Sequence, residues 1–102
     1  MTTTFSMCEQ FGSFLSDGDE SNKFRFTEVE PVLAEGHKVI FDFEGVTNMT
    51  DSFCNALFAN LVFNHPEVLT GAAEFLHCSP LIKDFIIHAL SIGCREAGLQ
   101  TA

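Results

Sequence analysis

The chain contains no Trp and no Tyr, although it contains twelve Phe. Phe supplies buried area without a hydroxyl or ring N–H to satisfy, so the core should be aromatic and free of polar handles. Positive charge is also scarce: five Lys and Arg stand against fourteen Asp and Glu, a formal net charge of -9. A field of that sign repels phosphate backbones, and no cluster of Lys or Arg overcomes it, so nucleic-acid binding is not expected. An anionic membrane surface is repelled for the same reason, whereas a basic groove on a partner protein is attracted.

Long apolar runs are missing. The longest, from Ala56 to Phe63, is broken by Asn60 and is far too short to span a bilayer. No targeting segment is visible. The four cysteines, Cys8, Cys54, Cys78 and Cys94, form no C-x-x-C pair, and reduced thiols in a soluble cytoplasmic protein are the expectation. The glycines at 12, 18, 36, 45 and 71 spell neither G-x-G-x-x-G nor a Walker loop, so no nucleotide cofactor is expected.

A metal site is not expected either. His37, His65 and His88 are isolated, and the adjacent His77 and Cys78 would point to opposite faces of a strand. Asp17, Asp19 and Glu20 lack the later ligands of a calcium loop and read as a solvated charge run. No catalytic residue is assigned. Cys54 falls on a core stripe, where a thiol is an inert small hydrophobe. Cys78, near a strand end beside His77 and with His88 further on, supports the alternative of a small cysteine-dependent enzyme.

What is present is one domain covering residues 1–102, with 46% apolar residues, ample for a folded core. A weak strand is expected over Thr3 to Met7, then a turn or loop over Gly12 to Asp19. A helix follows, with Ser21 and Asn22 as cap-capable residues, Phe26, Val29, Val32 and Leu33 on one face, and Gly36 as its stop. Pro31 interrupts it, so a kink or a later start is expected.

Lys38 to Phe43 is the strongest strand, with Val39, Phe41 and Phe43 on one face. The segment from about Asp51 to Asn64 is helical, with Cys54, Leu57, Phe58, Leu61 and Val62 forming a stripe. His65-Pro66 ends it. A third strand is expected around Glu74 to His77. A last helix starts at Ser79-Pro80, carries Ile82, Phe85, Ile86 and Ala89 on one face with Leu81 and Gly93 at its margins, and stops at Gly98. The order β-α-β-α-β-α predicts a small α/β fold with a mixed or parallel sheet flanked by helices.

Two features point to function. The loop after the central strand delivers Thr50, Asp51 and Ser52 to a helix N-terminus, where one side chain caps the free N–H groups. A phosphate on Ser52 would be tolerated by the helix dipole and would change a docking face by about two charges. The outer side of the same helix carries Asn55, Ala56, Ala59 and Phe63, a half-apolar surface that the fold covers or a partner uses. That surface also leaves open a constitutive homodimeric structural subunit, with contacts through Ala56, Ala59 and Phe63.

Lys38 to Leu61, KVIFDFEGVTNMTDSFCNALFANL, resembles the central strand, loop and helix of STAS domains of the anti-sigma factor antagonist type. It is most similar to their divergent STAS-like branch, with a DF-x-G-V run and a Ser-Phe at the helix start. In such bacterial regulators of signal transduction and transcription, a serine after an aspartate at this helix is phosphorylated by a partner that is both serine kinase and anti-sigma factor. The resemblance matches Asp51 and Ser52 to that pair and Asp42 and Gly45 to the strand end and turn. It implies a protein partner, either such a kinase-like anti-sigma factor or a histidine-kinase-like ATPase domain. The chain departs from the usual motif at Phe53 and Cys54, where a second hydroxyl residue and glycine are usual.

Overall fold

The computed structural model describes residues 1–98. Its main sheet is parallel, in the order β1 (Thr2–Ser6), β3 (Lys38–Asp42), β5 (Ala73–Leu76). Parallel neighbours require long crossovers, and each is helical. One helix spans residues 18–34 between β1 and β3, and another spans 51–64 between β3 and β5. The expected β-α-β-α-β-α frame holds, ending in α6 (Pro80–Glu96).

Alternation along the central strand decides where the core lies. Val39 and Phe41 are wholly buried, and the register sets Phe5 and Phe75 beside Phe41. The Phe41 ring lies 5.3 Å from that of Phe58, on the 51–64 helix, and 5.6 Å from that of Phe75. The Phe-rich, Tyr-free composition is thereby used as a cluster of edge and stacked rings that needs no polar partner. The other face of the sheet carries Thr2, Thr4, Lys38, Ile40, Glu74 and Leu76, which are exposed or half-buried. The helices and the core occupy one side of the sheet.

The segment Gly12 to Asp19 is more ordered than a loop. Phe14–Leu15 forms β2 and pairs in parallel with β4 (Asn48–Met49), which burial of Leu15 and Met49 explains. Before it, α1 (Met7–Phe11) is a single turn capped by Ser6, whose hydroxyl accepts the Glu9 N–H. The 18–34 helix is capped by Asp17, not by Ser21 or Asn22: its carboxylate accepts the N–H groups of Asp19 and Glu20. Ser21 is instead buried and donates its hydroxyl to the Phe53 carbonyl at 2.8 Å.

That helix comprises α2 (Gly18–Phe24), a π turn (Arg25–Val29) and α3 (Glu30–Ala34). The Glu30 N–H bonds the Arg25 carbonyl, one residue further back than in an α-helix, and the wider turn sits directly before Pro31. A proline lacks the donor and clashes with the preceding turn. The π turn absorbs this without ending the helix. It also rotates the buried stripe by one residue: Phe24, Arg25, Val29 and Leu33 face inward, while Phe26, expected inside, is 71% exposed.

Candidate functional site

The sheet sends β3 into a tight turn. The Asp42 carboxylate accepts the Glu44 N–H at 3.0 Å, and Gly45 has φ 88°, which favours glycine. Space matters as well, since a Cβ on Gly45 would lie 2.9 Å from Cys8 Sγ. The two turn positions identified in the sequence therefore have a local physical reason. The chain then passes through β4 and enters the 51–64 helix.

Thr50 is the cap of that helix. Its Oγ1 accepts the Phe53 N–H at 3.2 Å and donates to the Ser16 carbonyl at 3.3 Å. With Thr50 in that role, Asp51 and Ser52 are both exposed, and Ser52 Oγ makes no hydrogen bond among the described residues. Ser52 instead rests against the first residue of α2, where a Cβ on Gly18 would lie 2.6 Å from Ser52 Oγ. Two shallow hollows flank this point. One, of about 250 Å³, is lined by Phe11, Phe14 and Phe53 with Asp17 and Glu20. The other, of about 240 Å³, lies among Asp51, Leu81, Asp84, Phe85 and His88. Both combine apolar walls with carboxylates.

Phe53 is fully buried, with its ring 5.0 Å from Phe11. The position of the second hydroxyl in the usual motif is thus a core position here. Cys54 is buried beside it, and burial pushes its thiol up to about 12, which suits an inert core side chain.

The outer residues of this helix divide. Its middle is a π turn, Asn55–Ala59, between α4 (Asp51–Cys54) and α5 (Asn60–Asn64). The Asn60 N–H reaches back to the Asn55 carbonyl, so the Ala56 carbonyl lacks its usual backbone donor. Arg25 Nε at 3.0 Å and Asn60 Nδ2 at 3.2 Å take that place. Arg25 is nearly buried, pairs with Glu30 and also reaches Asn22 Oδ1, so the two π turns are joined through one guanidinium. Asn55 and Ala56 are consequently only half exposed, and Phe63 is 54% exposed.

Ala59 is not on an outer face at all. It is buried under α6, where a Cβ on Gly93 would lie 2.5 Å from the Ala59 carbonyl oxygen. The expected partner face therefore loses Ala59, because a glycine on another helix admits close backbone contact there. Thr50, Asp51, Ser52 and Phe63 remain at the surface in whole or part.

A second constellation was not legible in the sequence. His77 has φ 56°, and its Nδ1 lies 2.8 Å from Asp42 Oδ1. Asp42, Glu44 and His77 bring one ligand atom each within 4.8 Å of one another. The residues are 35 positions apart and meet because β5 pairs with β3 in parallel, which puts both strand ends on one edge. The Glu44 N–H and His77 hold the Asp42 carboxyl below its usual range, and the hydrogen bond to Asp42 raises the His77 pKa. The neighbouring Cys78 thiol is pushed up by burial, against the opposing pull of Lys83. An activated nucleophile needs the reverse shift.

A parallel three-stranded sheet with helical crossovers, and a turn that presents a helix N-terminus at its edge, define a small α/β module. The family model for the STAS-like domain of unknown function (DUF4325) matches residues 22–80, more than half of the chain. The chain belongs to that family. The match contains β3, the Asp42 to Gly45 turn, the whole 51–64 helix and β5, and it stops where α6 begins. Neither the curated proteins nor the solved structures returned a match. Among the described residues, no helix is long and apolar enough to cross a membrane.

Proposed function

We propose that this domain is a non-enzymatic cytoplasmic adaptor that docks through the start of the 51–64 helix onto a kinase-like regulatory protein, with Ser52 as the residue that switches the contact. The observation that carries this reading is the division of labour at the helix start. Thr50 satisfies the cap, which leaves the Ser52 hydroxyl exposed and without a hydrogen bond among the described residues.

The surroundings favour a partner over a small substrate. Each flanking hollow is shallow, apolar-walled and acid-rimmed, which complements a basic surface carrying apolar side chains. A phosphate on Ser52 would add up to about two negative charges between Asp17 and Asp51. Such a charge by itself strengthens the attraction to a basic partner, so the switch acts through sterics: the added group displaces the close Ser52–Gly18 packing and with it the shape of the docking face. The relevant phosphoacceptor is Ser52, since Phe53 is in the core.

Affinity capture from native lysate with wild type, S52A and S52D, followed by intact-mass analysis of the bait, tests this. Capture of a kinase-like protein by wild type and S52A but not by S52D is expected. Wild type, but not S52A, should gain roughly 80 Da, one phosphate. Equal capture by all three with no added mass refutes the switch and leaves a constitutive adaptor. Loss of binding in none of them, together with no change on L81E in the acid-rimmed hollow, refutes the docking face itself.

A further inference from the structure

A third and larger recess lies on the opposite flank of α6. It arises because α6 leans on the 51–64 helix through the Gly93–Ala59 contact, while β5 is an edge strand that pairs only with β3. Between β5 and α6 this leaves a groove of about 470 Å³, within the size range of small-molecule sites, roughly 300–1,000 Å³.

One wall is already rigid. Phe75 stacks on Phe41 at 5.6 Å and meets Phe58 edge-on at 5.5 Å. Opposite it, Ile86, Ile87 and Leu90 of α6 form an apolar surface, and Ile87 is 55% exposed with no partner to cover it. The polar end is made by Lys83, His77 and Cys78. Lys83 lies in the first turn of α6, where its N–H bonds the Ser79 carbonyl, so the positive end of the helix dipole lies on the same side.

Charge sets this recess apart from the others. Fourteen of the 102 residues are acidic and only five are Lys or Arg, yet the lining contains no carboxylate and includes one of those five. Asp42 and Glu44 cluster with His77, Asp42 being bonded to its Nδ1, and neither carboxylate lines the groove. Asp84, next to Lys83 in sequence, lines the hollow beside Asp51 instead.

We propose that the groove between β5 and α6 binds a small amphipathic carboxylate, with its hydrocarbon chain against Phe75, Ile86 and Leu90 and its carboxylate on Lys83. An apolar body satisfies the walls without leaving polar groups unpaired, and a single anionic head matches the single cationic end. The site is separate from the docking face at Ser52 and stands or falls independently of it.

Amide NMR titration of the full chain with octanoate, 1-octanol and octylammonium, all below their micelle concentrations, tests the assignment. Saturable shifts at Phe75, His77, Ile86 and Leu90 are expected with octanoate, with weaker binding of the alcohol and weakest of the ammonium. K83Q should weaken octanoate about tenfold, as loss of a charge-assisted bond implies, and leave octanol unchanged. I87N, at an exposed position that folding does not depend on, should weaken both. Equal affinity for octanoate and octylammonium, an unchanged affinity in K83Q, or shifts confined to other surfaces would each overturn the proposal. So would a dilution-dependent dimer whose interface protects these same amides.

Discussion

Replacing Gly93 with Ala tests whether the close crossing of α6 and the 51–64 helix is as tight as its geometry implies. The added Cβ would sit 2.5 Å from the Ala59 carbonyl oxygen and 3.0 Å from both Ala59 Cα and Val62 Cβ. Two of these three atoms are backbone and cannot rotate away. Restoring ordinary contact requires the helices to part by roughly 1 Å, which loosens packing along a buried seam and costs about 1–3 kcal/mol. Against this, Ala is favoured over Gly within a helix by about 1 kcal/mol. The net expectation is destabilisation of about 1 kcal/mol, within a range of roughly 0–2 kcal/mol, which lowers the urea midpoint by about 0.5–1 M at unchanged m value. Urea unfolding followed by far-UV circular dichroism measures both quantities, with I87A at an exposed position of the same helix as control. A midpoint for G93A above that of wild type would show that helix propensity outweighs the contact. The explanation given for the burial of Ala59 would then be wrong.

Two further outcomes follow from the buried guanidinium and the strand-end pair. Arg25→Ala should cost about 1–3 kcal/mol, because it removes one of the two side-chain donors to the Ala56 carbonyl and leaves Glu30 only Asn64 and His65 as partners. Arg25→Lys should recover little of this, since one ammonium cannot reach Ala56, Asn22 and Glu30 together, and the same urea experiment reads both variants. By NMR, His77 should titrate above its ordinary 6.5 in wild type and fall toward it in D42N. The sign is fixed by linkage. Asp42, depressed in the fold, contributes above its ordinary 3.8 and loses that contribution as pH falls through its folded value. His77, raised in the fold, contributes below 6.5 and loses it as pH rises through its folded value. The contact is therefore full between those two pH values, and an unshifted His77 in wild type would refute the pairing.

The legible part of this protein was the part governed by short-range periodicity. Lys38 to Asp42 alternates as a strand must, and Cys54, Leu57, Phe58, Leu61 and Val62 fall on one helical stripe, so both elements and their buried sides were readable. Ser79, Pro80 and Gly98 mark the ends of α6 through local capping chemistry: Ser79 Oγ accepts the Ile82 N–H, and Gly98 has φ 74°. The loop that delivers Thr50, Asp51 and Ser52 to a helix start was readable as well. Which of the three caps the helix was not, because Thr50 is held partly by Ser16, 34 positions away.

Phe26 was placed inside by an assumed 3.6-residue period, and the π turn before Pro31 moved it out. The periodic pattern carries no sign of that extra residue. Ala59 looked like an outward position until Gly93 brought another helix onto it. The Asp42–His77 pair and the groove containing Lys83 depend on the register of β3 against β5 and on where α6 leans. Such features are sums of long-range contacts, and residues distant in the chain acquire a common chemistry only once the parallel sheet has set its strand ends side by side.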